Sequence, residues 1–312
     1  MTPALPMFGH QQAEQAFADA VSGGRAHHAW LIEGPSGIGK SRFAHRAAAW
    51  LLGARGPADA PFDAPAEDPV MSRCLSGGHP DLRVLQREMG DRGKLRQDIS
   101  VEQIRAFNEF FSFKPAMGGW RVGIVDSLDE MNRASSNAIL KTLEEPPPAA
   151  ILFLINHGTR PVLPTIRSRC RSLRLSRLTD DDVAAALKCA GYEGDVPDSA
   201  AGRPGLIAAR AGESCQLARN AARALLTAMP RPNDSLTTRA IHAAGADHEA
   251  LEAFRDEALA WMEARAHTSP QLARNWLNLA DLLAQAEELN MDAEQTAAKL
   301  VSALHIAASR GE

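Results

Sequence analysis

The sequence predicts an α/β fold in which a parallel sheet covered by helices is followed by an all-helical C-terminal part. Three observations support this prediction. Short apolar segments alternate with amphipathic helical patterns over residues 1–175, one of these segments runs into a glycine-rich loop and a helix, and no strand pattern follows Leu175. Strands that are buried on both faces are short runs of branched apolar residues, and their alternation with helices is typical of a parallel sheet.

Four segments have the composition of buried strands. They cover residues 28–33, 82–85, 121–126 and 151–155. Helical patterns separate them: residues 11–21 and 39–52 are amphipathic, and a third helix places four apolar residues on one face, namely Val101, Ile104, Phe107 and Phe111. A fourth helix over residues 134–143 ends before three consecutive prolines, which cannot continue it. Residues 54–69, rich in Ala, Pro, Gly and Asp, predict a loop.

We predict three domains from the change in pattern along the chain. Residues 1–175 form the α/β core, residues 176–212 a small helical lid and residues 213–312 a helical C-terminal domain. The last domain is rich in alanine and leucine, with breaks at residues 230–232 and 269–270. Such helices pack closely and are candidates for a ring-forming collar, although an ordinary intramolecular core fits the same pattern.

Composition excludes several classes of protein. The chain has 312 residues, a net charge of −4 and 23% charged residues, which does not resemble a basic protein that wraps nucleic acid. No apolar run reaches the roughly 18 residues of a membrane span, and the first 20 residues lack the features of a signal peptide. We therefore expect a cytoplasmic protein without strong autonomous DNA binding. A local basic run could touch DNA phosphates, although interspersed acids favour a solvated surface; it comprises Arg83, Arg87, Arg92, Lys94 and Arg96.

The segment 28–41, HAWLIEGPSGIGKS, predicts a phosphate-binding loop between a strand and a helix. Gly34, Gly37 and Gly39 would let the main chain curl so that its N–H groups face phosphate oxygens, and the helix N-terminus adds a favourable dipole. Lys40 would neutralise the β and γ phosphates, and Ser41 would bind Mg²⁺. The predicted cofactor is therefore ATP with Mg²⁺, but the motif identifies a class of binding site and no reaction.

The residues after the 121–126 strand decide whether bound ATP could be hydrolysed. Asp126 ends the strand, where a phosphate-loop protein places the acid that helps to hold Mg²⁺. Ser127 follows it, and a serine hydroxyl has no basicity near neutral pH. Asp129 and Glu130 are expected to point elsewhere, although movement of their loop could bring one of them to the site.

The cysteines do not predict a metal site. Cys74, Cys170, Cys189 and Cys215 are scattered and include no Cys-x-x-Cys pair, so reduced thiols are expected. His79 lies near Cys74, but two ligands without a second pair do not make a tetrahedral zinc site. We predict no metal other than the Mg²⁺ that accompanies ATP.

Four segments together resemble the delta-prime subunits of the bacterial DNA polymerase III clamp loader, a family of the AAA+ group. They are GGHPDLRVL at 77–85, ISVEQIRAFNEFFSFKPAMGGWRVGIVD at 99–126, SSNAILKTLEEPP at 135–147 and LPTIRSRC at 163–170. The resemblance covers roughly the first 210 residues. It implies an AAA+ core, lid and collar in a five-membered ring that uses ATP to open a sliding clamp and place it on primed DNA. The family implies that this subunit is the comparatively rigid member.

The resemblance also implies roles for single residues. Arg169 of the Ser-Arg-Cys segment would be an arginine finger that reaches the ATP of a neighbouring subunit. Asn156, followed by His157, would lie where AAA+ ATPases sense the γ-phosphate, and Arg203 would correspond to the lid arginine that contacts nucleotide. Ser127 replaces the glutamate that polarises water in active members, and residues 53–78 retain only Cys74 of a four-cysteine zinc module, which therefore has lost its metal.

Our leading hypothesis is a clamp-loader subunit that binds ATP weakly or without productive turnover and supplies Arg169 to a neighbour. One alternative is a self-sufficient AAA+ ATPase, such as a DNA-remodelling motor, with Asp129 or Glu130 as its base. Another is a scaffold whose phosphate loop binds no nucleotide.

Overall fold

A computed structural model of the chain contains two compact units, Met1–Ala186 and Leu187–Glu312. The residues it describes are 4–24, 26–89, 96, 98–158, 160–192, 201–208, 212–266 and 292–309.

The first unit is built on a five-stranded sheet in which every neighbouring pair is parallel. The strand order is β2-β3-β4-β1-β5. Their bounds are β1 Ala29–Glu33, β2 Leu82–Leu85, β3 Arg121–Val125, β4 Ala150–Asn156 and β5 Arg171–Arg174. The central strand β4 is buried along its whole length because helices cover both of its faces. The parallel α/β core predicted from the sequence is therefore confirmed.

Eight helices accompany the sheet in the described chain up to residue 192. They are α1 Gln11–Ser22, α2 Lys40–Leu51, α3 Pro69–Leu75, α4 Val101–Ser112, α5 Arg133–Ala138, α6 Leu140–Glu144, α7 Pro164–Arg167 and α8 Asp180–Cys189. Local sequence fixes their ends. Ser100 and Gln103 form a capping box at the start of α4, and Asp68 accepts two N–H bonds before Pro69 at the start of α3.

Alternation along the strands builds one core on each face of the sheet. Trp30 of β1 and Phe153 of β4 face α1 and α2, where Phe17 packs edge-on against Trp30 with ring centroids 5.0 Å apart. Leu31 and Leu152 point to the opposite face, into the core that holds α4. The period of two in a strand thus assigns successive apolar residues to different cores.

Among the elements that were not predicted from the sequence are an edge strand and a short helix. Strand β5 has the sequence RSLR and is largely exposed at the edge of the sheet, so it lacks the apolar run by which buried strands are recognised. Helix α3 is seven residues long and directly follows the predicted loop, too short for a clear helical period. Tertiary pairing and packing form both elements.

The second unit is helical in the part that the structure describes. Its helices are α9 Pro204–Ala208, α10 Glu213–Thr227, α11 Asp234–Ala244, α12 His248–Ala266 and α13 Ala293–Ser309. Leu225, Phe254, Leu300 and Leu304 are fully buried in one core that α10, α11, α12 and α13 share. Within the described residues no helix is long and apolar enough to cross a membrane. The predicted boundary between lid and collar, at residues 212 and 213, stays a prediction.

Candidate nucleotide-binding site

The glycine-rich loop joins the carboxyl end of β1 to the first turn of α2. Its glycines have positive φ angles of 148° at Gly34, 82° at Gly37 and 100° at Gly39, a region that other residues rarely adopt. At Gly34 a side chain is also excluded by space, because a Cβ there would lie 2.3 Å from the main-chain oxygen of Leu175. Sequence and tertiary contact therefore both require glycine at the start of the loop.

Lys40 is enclosed by the loop that it follows. Only 2% of the residue is exposed, and Nζ donates hydrogen bonds to the carbonyl oxygens of Gly34, at 2.6 Å, and of Pro35. Burial lowers the pKa of Lys40 to about 8, although the negative charges of Asp129 and Asp126 act to raise it. The ammonium would exchange these loop carbonyls for phosphate oxygens on nucleotide binding.

Asp126 lies at the carboxyl end of β3, beside both Ser41 and His157. Burial acts to raise the pKa of Asp126, but hydrogen bonds from His157 and Ser41 outweigh it and hold that pKa below its usual value. The Asp126 carboxylate is therefore ionised near neutral pH. An ionised carboxylate next to a hydroxyl is an oxygen donor set suited to Mg²⁺, so Ser41 and Asp126 fit the ion that would accompany ATP.

Ser127 occupies the next position along the chain and is almost fully buried, with 1% of its surface exposed. Its Oγ has no hydrogen-bond partner among the residues that the structure describes. A buried hydroxyl can bind a polar group, but it cannot accept a proton from water near neutral pH.

Asp129 is engaged with the segment that follows β4. Oδ2 accepts a hydrogen bond from the main-chain N–H of His157 at 2.6 Å, and Oδ1 accepts one from Arg160 at 3.1 Å. Asp129 thus fixes the backbone around the end of β4, a role that sequence reasoning missed because its partners lie about thirty residues away.

Glu130, the next acid along the chain, pairs with Arg87. The Glu130 Oε1 lies 3.0 Å from the Arg87 Nε. Burial raises the pKa of Glu130 although the Arg87 charge opposes this. Asp129 and Glu130, the two acids after Ser127, are therefore both engaged with partners in this chain.

The end of β4 contributes two neighbouring side chains with different surroundings. Asn156 is paired in register with Glu33 of β1, and its Oδ1 accepts a hydrogen bond from the Gly158 N–H at 3.2 Å. It also lines a cavity of about 340 Å³ together with Asp129. The ring of His157 points to Asp126 instead, with its Nε2 3.6 Å from Oδ1. Both residues predicted around the γ-phosphate position therefore reach the carboxyl edge of the sheet, and the histidine is the one in contact with Asp126.

The segment before α1 covers the loop from the other side, a contact that the sequence did not predict. The ring Nε2 of His10 lies 3.1 Å from the carbonyl oxygen of Ile38 in the loop. Burial lowers the pKa of His10, which favours its neutral form. Met7 lies within 3.5 Å of the position a Cβ would take at Gly39. The N-terminal segment therefore forms part of the wall of the site.

Arg169 lies just after α7, in the first unit. Its Nη2 is 2.9 Å from Glu144 Oε1, and 36% of its side chain is exposed. Arg203 is half-buried in the second unit, directly before α9. Their contacts with nucleotide, in a neighbour or in this chain, stay predictions.

Cys74, the one cysteine retained in the segment 53–78, is buried on α3. Burial raises the pKa of the Cys74 thiol to about 11, which disfavours the thiolate that zinc requires. The part of the chain that the structure describes contains no group of three or more histidine, cysteine, aspartate or glutamate residues arranged to hold a metal ion.

The glycine loop, Lys40, Ser41 and Asp126 meet at the carboxyl edge of a parallel sheet, which is the arrangement of a P-loop protein. Comparison with known families narrows this class. Residues 9–179, more than half of the chain, match the family described as "DNA polymerase III, delta subunit". The chain belongs to that family.

Individual relatives agree with the family assignment. The chain is 40% identical over 150 residues to DNA polymerase III subunit delta' of Pseudomonas aeruginosa, a match covering 47% of this chain and 43% of the relative. It is 30% identical over 183 residues to DNA polymerase III subunit tau of Escherichia coli, covering 58% and 26%. Each match thus spans less than half of the relative's length.

Among solved structures, a DNA polymerase III gamma subunit-related protein from Thermotoga maritima is similar with 16% identity and a TM-score of 0.48. That similarity covers 97% of this chain and 100% of the Thermotoga chain.

Proposed function

We propose that this chain is a delta-prime-type subunit of a DNA polymerase III clamp loader in the bacterial cytoplasm. It binds ATP with Mg²⁺ weakly through the P-loop, turns it over slowly or not at all, and supplies Arg169 to the ATP of a neighbouring subunit. Its partners are the other subunits of a pentameric ring, and it acts on the sliding clamp and primed DNA through that complex. The family membership supports the clamp-loader role.

The observation that carries this proposal is the combination of a well-formed P-loop with a buried serine at the position of the base. Lys40, Ser41 and Asp126 are arranged for a phosphate and its Mg²⁺. Ser127 lies where hydrolysis requires a carboxylate, and a hydroxyl does not replace one. Binding without efficient turnover follows from these four residues.

The contacts of the two nearby acids argue against a self-sufficient ATPase. Asp129 accepts main-chain hydrogen bonds on both of its oxygens, and its use as a base would break these two bonds to a charged acceptor. Glu130 would have to leave Arg87. The scaffold alternative is disfavoured by the positive φ angles of the glycine loop, which retain the shape that phosphate binding needs.

Arg203 is proposed as the lid arginine, and the helices after residue 212 as the collar that joins the ring. The shared core of α10 to α13 supports a stable helical domain for this purpose. Direct DNA contact by the basic run gains little support, since Arg87 is paired with Glu130. Arg92 and Lys94 lie outside the described residues.

The first experiment measures ATP binding and steady-state hydrolysis by the purified chain alone, with Lys40→Ala as the control. Wild-type protein should bind ATP, and Lys40→Ala should weaken binding by at least about tenfold, because the ammonium is the main positive charge facing the β and γ phosphates. Turnover should stay near background in both proteins.

The outcomes separate the three hypotheses. Robust turnover that depends on Lys40 would replace this proposal with the self-sufficient ATPase, since Ser127 would then have been bypassed. Absence of ATP binding by the wild-type chain would favour the scaffold.

A further inference from the structure

The guanidinium of Arg169 is held by three groups of its own chain. Nη1 donates to the main-chain oxygen of Thr165 at 2.9 Å and to Ser168 Oγ at 3.2 Å. Nη2 lies 2.9 Å from Oε1 of Glu144. Thr165 and Ser168 belong to the same turn as Arg169, whereas Glu144 is the last residue of α6. Glu144 therefore fixes the arginine to a different element of the fold.

The turn that carries Arg169 depends on such tertiary anchors. Helix α7 is only four residues long, which is too short to be rigid through its own hydrogen bonds. Ile166 is buried in the core, and Arg167 forms a two-pronged ion pair with Glu33 at 2.7 and 3.1 Å. The position of the Arg169 backbone is thus set by the core and by β1, and Glu144 adds the restraint on its side chain.

The bonding of Arg169 leaves part of its hydrogen-bonding capacity for an external acceptor. A guanidinium has five N–H donors, and the contacts above account for both donors of Nη1 and for one side of Nη2. Within the described residues no acceptor contacts its Nε–H, which is available to an incoming oxygen. The side chain is 36% exposed and can be reached by another molecule.

From this geometry we propose that Glu144 is a positioning residue for Arg169, an inference that rests on the proposed role of Arg169 as an arginine finger. Glu144 does not touch nucleotide. It restricts the long arginine side chain to one orientation before the neighbouring ATP is met, so less side-chain entropy is lost when the guanidinium engages the phosphate.

Glu145 provides a matched control. It is the adjacent residue, it has the same charge, and it is exposed. Its side chain forms no hydrogen bond or ion pair within the part of the chain that the structure describes. A general effect of removing one negative charge from the end of α6 would appear equally in Glu144→Gln and Glu145→Gln.

The test is steady-state ATPase of the reconstituted ring, comparing Glu144→Gln, Glu145→Gln, Arg169→Ala and the double variant Glu144→Gln/Arg169→Ala. The pair is partly exposed, so Glu144→Gln should lower kcat by about two- to fivefold with an unchanged KM for ATP. Arg169→Ala should lower kcat by about tenfold or more with assembly intact. The double variant should match Arg169→Ala, since Glu144 acts only through that arginine.

Salt gives a readout that a merely structural role would not change. The ratio of wild-type to Glu144→Gln activity should approach one as ionic strength rises, because salt screens a partly exposed ion pair. The Glu145→Gln protein should behave as wild type throughout.

The experiment distinguishes failure of the arginine-finger role of Arg169 from failure of the positioning role of Glu144. If Arg169→Ala leaves the ATPase unchanged, the finger itself is wrong. If Arg169→Ala lowers kcat while Glu144→Gln leaves it unchanged or raises it, the finger stands and the positioning role of Glu144 is overturned. A further loss in the double variant beyond Arg169→Ala would also overturn it.

Discussion

Lys40 carries a buried positive charge whose partners are two carbonyl oxygens of its own loop. Burial lowers its pKa from 10.5 to about 8. The unfolded chain holds this proton more tightly than the folded chain, so burial of the ammonium lowers the free energy of unfolding at all pH values below about 8. This loss of stability is relieved as the pH rises from 8 towards 10.5, because Lys40 is then neutral in the folded protein. A bound triphosphate would instead favour the ammonium, so nucleotide binding and protonation of Lys40 are linked.

The affinity for ATP should therefore fall as the pH rises through about 8. The expected slope approaches a tenfold weaker Kd per pH unit, because binding must take up one proton. Titration calorimetry at pH values above and below the pKa of Lys40 measures this dependence of Kd on pH. In Lys40→Arg the guanidinium stays charged, so the slope should disappear even if the affinity is lower. An equal slope in that variant would assign the titration to another group.

At the scale of the elements, the packing of α4 on the sheet depends on the missing side chain of Gly123 in β3. A Cβ at this position would lie 2.4 Å from Cζ of Phe107 and 2.8 Å from Cζ of Phe111. Both phenylalanines are buried and pack edge to face with each other, with centroids 5.1 Å apart. Gly123 is needed because α4 approaches the strand closely, and not because the backbone adopts a conformation that only glycine allows.

Gly123→Ala should destabilise the first unit by about 1–3 kcal/mol, because the added methyl group overpacks this contact. Urea denaturation followed by circular dichroism measures the change. Gly78→Ala is the matched control: it lies on an exposed loop where a Cβ would be 3.4 Å from Ser76 Oγ, and its effect should stay within about 0.5 kcal/mol. Equal stability of the two variants would contradict the packing argument.

At the scale of the whole molecule, each unit has its own hydrophobic core. The first unit buries Phe17, Phe43 and Phe153 beside the sheet, and the second buries Phe254 among its helices. Separate cores allow the nucleotide site and the proposed collar to be perturbed one at a time.

Phe254→Ala should lower the stability of the second unit by about 3–5 kcal/mol through loss of buried surface and a residual cavity. Ring assembly with partner subunits, followed by gel filtration, should weaken, whereas the affinity of the isolated chain for ATP should change by less than about twofold. Leu217→Ala, at a leucine that is 52% exposed, should leave the stability of the unit nearly unchanged. Normal assembly of a destabilised Phe254→Ala protein would contradict the collar assignment.

The glycine loop, strands β1 to β4 and the family resemblance could be predicted from the sequence, because each depends on neighbouring residues. The spacing of glycines indicates a turn that needs backbone freedom, and an apolar run indicates a strand that is buried on both faces. Ser127 was likewise identifiable from its place after Asp126, where the family resemblance implies a glutamate. Such signals are local, and the chain alone carries them.

Tertiary structure alone decided what the charged side chains around the site contact. Asp129 caps the segment after β4, His157 faces Asp126, and Glu144 holds Arg169. Strand β5 likewise forms only because an exposed polar segment pairs with β1. These contacts join residues that are distant in sequence, and a charged residue carries no local signal of which distant partner the fold will bring to it.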